Sequence, residues 1–181
     1  MVMTPLPLYP ILSVGGEGMM ERALKEVGLK KAGAGQLAAA KLSVAELERL
    51  LSAEFPEMFH PASGWVIEAV WHRGSVVRKR FDAQSLRPGG TIAGTTTMAI
   101  ADFAIYIAVL ASIGWVPLTV TTNLNINFLK KPAPRDLLAE ARLIKLGKRL
   151  AVGEIDIRSE GDDDLVAHAT ATYSIPPQTV K

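Results

Sequence analysis

The fold of this chain is decided by residues 88–114, which read PGGTIAGTTTMAIADFAIYIAVLASIG. From Ile92 to Gly114 the stretch is apolar enough to cross a membrane, yet three consecutive Thr stand at its start and Asp102 stands at its centre. A carboxylate in the middle of a bilayer costs roughly 2.5 to 3.5 kcal/mol, whereas a globular core accepts a long apolar helix. The stretch therefore predicts the buried central helix of a globular domain, with no membrane association.

Segments of alternating apolar and polar residues flank this helix and predict strands with one buried face each. Before the helix, residues 65–71 and 75–81 surround His72-Arg73-Gly74, which predicts a hairpin with a short Gly-containing loop. After the helix, alternation predicts a meander of strands near residues 120–128, 151–158 and 165–173, with weaker alternation over 137–146.

The alternation also predicts which side chains share a face. In the first segment after the helix, one face is expected to carry Val120, Thr122, Leu124, Ile126 and Phe128, and the other face Thr121, Asn123, Asn125 and Asn127. Trp65 and Trp71 are likewise expected on one face of the first strand, as core or pocket-lining residues.

Strands with a single apolar face are typical of an antiparallel sheet that is covered on one side. The long helix lies between the second and third predicted strands, where it can cover that face. The sequence thus predicts an α+β fold of the hotdog type, in which a curved antiparallel sheet of five to six strands wraps around one long central helix.

The N-terminal part of the chain differs in composition from the rest. Residues 1–41 are first Pro-rich, then charged and helical in pattern over 19–31, then rich in Gly and Ala. They are predicted to form a partly helical extension, and residues 42–181 the hotdog domain. Within that domain, Ser43 and Glu46 form a capping box that predicts a helix ending before Pro56.

Composition limits the possible classes of function and the expected cellular location. The chain has 20 Lys and Arg against 18 Asp and Glu, so its net charge of +2 does not predict nucleic-acid binding. It has no Cys, which excludes disulfides and thiol nucleophiles. The first ten residues lack the pattern of a secretory signal, so a cytoplasmic protein is expected.

Asp102 is the sharpest chemical signal in the sequence, because it is the only charged residue from Gly89 to Leu129. Burying a carboxylate is costly unless it is paired, hydrogen-bonded or protonated. A catalytic role would explain why Asp102 stands in an apolar helix. The alternative is a structural role, in which Asp102 bonds nearby hydroxyl groups.

Three segments resemble the phenylacetyl-CoA and 4-hydroxybenzoyl-CoA thioesterase superfamily. Residues 88–104 are similar to its helix motif, in which a His-Gly-Gly turn is followed by Ala-Asp. Residues 121–132, TTNLNINFLKKP, and 166–173, VAHATATY, are similar to the family's next and last strands. The resemblance covers about residues 65–176 and implies acyl-CoA thioester hydrolysis by Asp102 at a site shared between subunits. The sequence departs from the motif at Ala93-Gly94-Thr95, where the family has His-Gly-Gly.

Thioester hydrolysis needs a nucleophile or base and donors for the developing oxyanion. The first backbone N–H groups of the central helix, at Gly94 and Thr95, are the expected donors. Asp102 is eight residues further along, which is about 12 Å in one helix at 1.5 Å per residue. One chain cannot bring both to one carbonyl, so antiparallel helices of two subunits are expected to complete the site in a homodimer or a dimer of dimers.

Further residues are expected to bind substrate rather than to react. Lys130 and Lys131 form the best basic cluster for coenzyme A phosphates, followed by Arg87. Thr96 can orient water or the acyl group, and Asn127 is a further candidate for polar contact with substrate. The three His are not spaced as metal ligands, so no metal and no cofactor are expected beyond the coenzyme A of the substrate.

The predicted function is hydrolysis of an aromatic or short- to medium-chain acyl-CoA, with Asp102 as general base or nucleophile and the helix-start amides as oxyanion hole. A non-catalytic acyl-CoA-binding or regulatory protein is the alternative, because the motif departs at Ala93 and Thr95. A hotdog hydratase or dehydratase ranks lower, since no His falls on the central helix.

Overall fold

The computed structural model describes residues 21, 22, 25 and 37–177. The first three are helical. The remaining range contains two α-helices and eight strands, in chain order α1 (Val44–Glu54), β1 (Trp65–Trp71), β2 (Gly74–Lys79), β3 (Leu86–Arg87), β4 (Thr91–Ile92), α2 (Gly94–Ile113), β5 (Val120–Phe128), β6 (Leu137–Leu146), β7 (Leu150–Ser159) and β8 (Leu165–Ser174).

Six of the strands form one antiparallel sheet in the order β1-β2-β6-β7-β8-β5. The first strand after the central helix, β5, therefore lies at an edge beside the last strand, while the meander β6-β7-β8 occupies the centre. The two short strands β3 and β4 pair around the Pro88-Gly89-Gly90 turn and were not predicted. The sheet with its long helix confirms the predicted α+β hotdog fold.

Helix α2 packs lengthwise on the sheet and contributes a large part of the core, with Ile100, Phe103, Ile107 and Leu110 at most 3% exposed. It is long and apolar enough to cross a membrane, but 67% of its apolar window is buried inside the protein, as expected for a core helix. Gly153 of β7 allows the close approach, because a Cβ there would lie 2.8 Å from Ile105 Cδ1.

Helix α1 has the predicted capping box. The Ser43 side chain accepts from the Glu46 N–H, and the Glu46 side chain accepts from the Ser43 N–H at 2.8 Å. Leu47 and Leu51 are fully buried. Residues just before α1 already contact the core, since Ala38 O accepts from His72 N at 2.8 Å and Ala111 O accepts from Lys41 N at 2.7 Å. The assignment of residues 1–41 to an extension stays a prediction.

Two β-bulges overturn the simple alternation predicted from the sequence. In β1 the register shifts between Ile67 and Ala69, so Trp65 packs on Phe103 with ring centroids 4.8 Å apart, while Trp71 covers Gly74 at the end of the hairpin. The two Trp do not share a face, because a bulge adds one residue and inverts the alternation beyond it.

The bulge in β5 lies between Thr121 and Asn123. It places Thr121 opposite Tyr173, on the same side of the sheet as Leu124, Ile126 and Phe128, which face α2 and pair with buried Ala residues of β8. The predictions that Thr121 lies with Asn123, Asn125 and Asn127, and that Val120 lies with Leu124, Ile126 and Phe128, were therefore wrong.

Candidate active site

Asp102 lies in the middle of α2 on the one stripe of the helix that reaches solvent. Its neighbours Ala101 and Phe103 are buried, whereas Asp102 itself is half-buried. Thr95, Met98 and Ala99 continue this stripe toward the helix start and are exposed. The carboxylate therefore stands at the boundary between the apolar core and the surface.

Two hydroxyl groups hold one oxygen of this carboxylate. Thr121 Oγ1 of β5 donates to Asp102 Oδ1 at 2.6 Å, and the Tyr173 hydroxyl of β8 donates to the same Oδ1 at 2.6 Å. These short distances are those of charge-assisted O–H···O hydrogen bonds. No donor among residues 21, 22, 25 and 37–177 reaches Oδ2, so the two oxygens are not equivalent.

Tyr173 is 2% exposed, and its hydroxyl also lies 2.9 Å from the backbone oxygen of Asp102. Burial raises the pKa of Tyr173 well above its usual value, and the Asp102 carboxylate raises it further. Both causes favour the protonated phenol. Tyr173 is thus a permanent hydrogen-bond donor to Asp102 rather than a group that releases a proton.

Sequence reasoning missed both Thr121 and Tyr173. They lie 19 and 71 residues from Asp102 in the chain. The apolar alternation of β8 places Tyr173 on the side of the sheet that faces the helix, and this was visible in the sequence. Nothing in the local sequence shows which residue of α2 Tyr173 contacts. Thr121 was assigned to the wrong face because the bulge that turns it inward has no Gly or Pro to mark it.

The start of α2 presents free backbone donors. Its first residue is Gly94, and the N-cap Ala93 supplies no side-chain hydrogen bond. The Ala93 N–H donates to Ser85 O at 2.8 Å, whereas no acceptor in the described part of the chain receives the N–H groups of Gly94 or Thr95. The Phe128 ring lies over Gly94, where a Cβ would meet it at 3.3 Å.

The neighbouring Thr residues differ in environment. Thr97 is 1% exposed and its hydroxyl donates back to Ala93 O at 3.4 Å. Thr96 is half-buried, and its side chain has no hydrogen bond to another described residue. The hydroxyls of Thr96 and of exposed Thr95 are therefore both available for substrate or water.

Exposed apolar residues lie along β5 on both faces of the sheet. Phe128, on the side that faces α2, is 54% exposed, whereas Val120 pairs with Ser174 on the opposite side and is 55% exposed. Leu118, just before β5, is 76% exposed. Met98 of the exposed α2 stripe is 39% exposed. β5 is also an edge strand, with one side of its backbone unpaired within the described sheet. A long edge strand beside exposed apolar groups is a surface that proteins normally cover.

The basic residues proposed for phosphate binding are not alike. Lys130 Nζ already contacts Asp162 Oδ2 at 2.7 Å and Asp164 Oδ2 at 3.0 Å. Hydrogen bonds to Asp162 and then Asp164 raise the pKa of Lys130. Lys131 is exposed and has no ion pair with a described residue. Arg87 is exposed at the end of β3, close in sequence to the helix start.

Asn127 lies elsewhere. It pairs with His168 of β8, on the sheet face opposite α2, so this chain does not place it beside Asp102. His168 in turn is 3.9 Å from Glu154. Within the described residues no group of His, Asp and Glu is arranged to hold a metal ion.

Comparison with known proteins places this chain in a family. A family model described as the thioesterase superfamily matches residues 89–166. A protein of Saccharolobus solfataricus, named as a candidate esterase, is 33% identical over 138 residues, which are 76% of this chain and 89% of the relative. The chain belongs to the thioesterase superfamily.

Solved structures agree with this membership. A candidate thioesterase from Silicibacter sp. TM1040 is 40% identical, with a TM-score of 0.70, and the match covers 78% of this chain and 97% of that chain. A thioesterase from Haemophilus influenzae has 22% identity and a TM-score of 0.66 over 78% of this chain and 96% of that chain, which shows a shared fold. As a superfamily member the chain is a thioester hydrolase, as the helix motif predicted.

Proposed function

We propose that this superfamily member is an acyl-CoA thioesterase in which Asp102 is the catalytic carboxylate. The observation that carries the proposal is the asymmetry of Asp102. Its Oδ1 is held by Thr121 and Tyr173, while Oδ2 has no donor among the described residues and belongs to a half-buried side chain. A carboxylate that is fixed through one oxygen and open at the other suits a base or nucleophile better than a structural cap.

As a general base, Asp102 accepts a proton from water while the water oxygen bonds to the thioester carbonyl carbon. The resulting oxyanion collapses, the C–S bond breaks, and the thiolate of coenzyme A leaves and takes up the proton. As a nucleophile, Asp102 instead bonds to the carbonyl carbon and expels the thiolate, and water then cleaves the mixed anhydride. Both routes give a free acid and coenzyme A without a cofactor.

The oxyanion requires donors that do not belong to the same chain as the carboxylate. The unpaired N–H groups of Gly94 and Thr95 are suited to this role, with Thr96 beside them for the acyl group or water. They begin the helix that carries Asp102 about 12 Å further on. Two copies with α2 helices side by side and antiparallel bring the donors of one to the carboxylate of the other. The exposed α2 stripe and the apolar surface of β5 support such a dimer.

The coenzyme A part of the substrate is proposed to meet the basic turn after β5. Lys131 is the most available ammonium group there, Lys130 contributes if it leaves Asp162 and Asp164, and Arg87 is a further candidate. The proposed setting is the cytoplasm, where acyl-CoA is available as substrate. Aromatic and short- to medium-chain acyl groups are the classes to test first.

The test is a panel of acyl-CoA thioesters assayed for release of free thiol, with wild type beside Asp102→Asn. The variant is expected to lower kcat by a factor of about 100 or more while the melting temperature stays close to that of wild type. Normal turnover by a folded Asp102→Asn protein would contradict the proposal. After a single turnover in ¹⁸O-labelled water, label in Asp102 would show the nucleophilic route, because water then attacks the Asp102 carbonyl carbon of the mixed anhydride.

A further inference from the structure

Tyr173 occupies an unusual place for a buried tyrosine. It lies on β8, one strand in from the edge, opposite Thr121 of β5 and Ala151 of β7. Its ring is buried against Tyr106, with ring centroids 6.3 Å apart. The hydroxyl reaches the middle of α2 and meets two acceptors of one residue, the backbone oxygen of Asp102 at 2.9 Å and its Oδ1 at 2.6 Å.

A buried tyrosine needs only one acceptor for its hydroxyl. Tyr106, one helical turn from Asp102, illustrates this, since its hydroxyl donates to the backbone oxygen of Pro117 at 3.2 Å and to no side chain. The backbone oxygen of Asp102 could accept from Tyr173 in the same way. The single hydroxyl proton instead makes its shorter contact with Oδ1, so this bond also constrains the carboxylate.

We propose that Tyr173 is a positioning residue for thioester hydrolysis, which holds Oδ1 of Asp102 through its hydroxyl and thereby directs Oδ2 toward the substrate. The inference rests on the proposed role of Asp102. Because the hydroxyl lies between the backbone oxygen and Oδ1 of the same residue, it fixes the rotation of the carboxylate plane relative to α2. Without Tyr173, the carboxylate would be held only by Thr121, which is an exposed residue of the edge strand β5.

The environment suits a fixed donor. The titratable groups that face Asp102 in the described part of the chain are Tyr173 itself and Tyr106, with Glu54 of α1 beside Tyr106. Within residues 21, 22, 25 and 37–177 no cation lies in hydrogen-bond contact with the carboxylate, so its orientation depends on the two hydroxyls. Misplacing a reacting group by about 1 Å costs up to a factor of about 100 in rate.

The experiment compares Tyr173→Phe with Tyr106→Phe as a matched control. Each variant removes one phenol oxygen from the same neighbourhood, but only the first touches Asp102. Tyr173→Phe is expected to lower kcat by a factor of about 10 to 100 with KM changed by less than about threefold. Tyr106→Phe is expected to keep kcat within about twofold of wild type. Equal kcat for both variants would overturn the inference.

A double-mutant cycle shows whether Tyr173 acts through Asp102. In an Asp102→Asn background, Tyr173→Phe is expected to lower kcat by less than about twofold, because the group that it positions is already gone. An unchanged 10- to 100-fold effect in that background would overturn the inference. If Tyr173→Phe does not fold, Tyr173→Met fills the space in the same cycle.

The cycle also separates this inference from the proposed function. Full activity of Asp102→Asn would refute the role of Asp102 and with it the proposed mechanism. An inactive Asp102→Asn together with a fully active Tyr173→Phe would leave the proposed function standing and refute only the role of Tyr173.

Discussion

The local sequence around Asp102 and Lys130 is not equally informative about the role of each residue. Asp102 stands out as the only charge within a long apolar run, and the structure gives it the hydrogen bonds that a half-buried carboxylate needs. Lys130 shows the opposite case. It resembles a phosphate ligand in the sequence, yet its ammonium group is already held by Asp162 and Asp164. Contacts made by distant carboxylates change what a basic residue can offer to a substrate.

This difference between neighbouring lysines leads to a prediction. Lys131→Ala is expected to raise KM for acyl-CoA by about tenfold, the effect of one lost charge-assisted hydrogen bond. KM for a matching pantetheine thioester, which lacks the nucleotide phosphates, should change little. Lys130→Ala should have the smaller effect because Asp162 and Asp164 compete for that ammonium group.

The measurement is steady-state kinetics on both thioesters at low and high salt, since salt should weaken the phosphate contact and mimic Lys131→Ala. Lys145→Ala, at an exposed position of β6, is the control. Equal changes of KM for both substrates would show that Lys131 is only a solvated residue of the turn.

At the level of elements, the site depends on how α2 lies on the sheet. The Ile105 side chain of α2 lies against Gly153 of β7, where a Cβ would be 2.7 Å from Arg142 O and 2.8 Å from Ile105 Cδ1. Ile105 is one turn beyond Asp102, so the same contact sets the height of the carboxylate above β8 and β5. The β5 bulge then turns Thr121 toward that carboxylate.

Gly153→Ala is therefore expected to destabilise the fold by about 1 to 3 kcal/mol, because the methyl group must displace either a backbone oxygen or the helix. Gly147→Ala is the matched control, since a Cβ there meets only Leu150 O at 3.4 Å. Urea unfolding measures the free energy of unfolding of both variants. An equal loss for Gly147→Ala, or no loss for Gly153→Ala, would show that the helix has room to move.

For the whole molecule, the proposed mechanism requires two chains in one active unit. The proposed oxyanion donors at the start of α2 and the Asp102 carboxylate at its middle belong to one helix, so no loop movement brings them together. The edge strand β5 and the apolar residues around it are exposed in the single chain. In the proposed dimer, two copies with antiparallel α2 helices cover this surface and complete the site.

Subunit mixing tests the shared site. Asp102→Asn removes the carboxylate, and Gly94→Pro removes one donor at the first helical position, where Pro is tolerated. In a hybrid dimer one site lacks both groups and the other has both. Random mixing of equal amounts makes about half of the dimers hybrids, so the mixture should recover about a quarter of wild-type activity from two inactive parents.

The mixture is refolded or exchanged at equal amounts, and thiol release is compared with that of each parent alone. Sedimentation should show a dimer or a dimer of dimers at the assay concentration. No recovery in a mixture that contains hybrids would show that each site is built within one chain.

The sequence by itself determined the class of fold and identified Asp102 as the candidate catalytic carboxylate. Helical and strand periodicities depend only on whether residues face core or solvent, so residues 88–114 and the alternating segments predicted one helix covered by an antiparallel sheet. The isolation of Asp102 was equally local, and the motif around it indicated the superfamily that the comparisons then showed.

Only the tertiary structure decided what surrounds Asp102. Thr121 and Tyr173 meet it across 19 and 71 residues of chain because β5 pairs with β8 in one register and because a bulge turns Thr121 inward. The ion pairs of Lys130 with Asp162 and Asp164 likewise join two turns that are distant in sequence. Local periodicity records which face a side chain takes, but a register shift of one residue reverses that face. Which residues meet therefore depends on the packing of the whole sheet against α2.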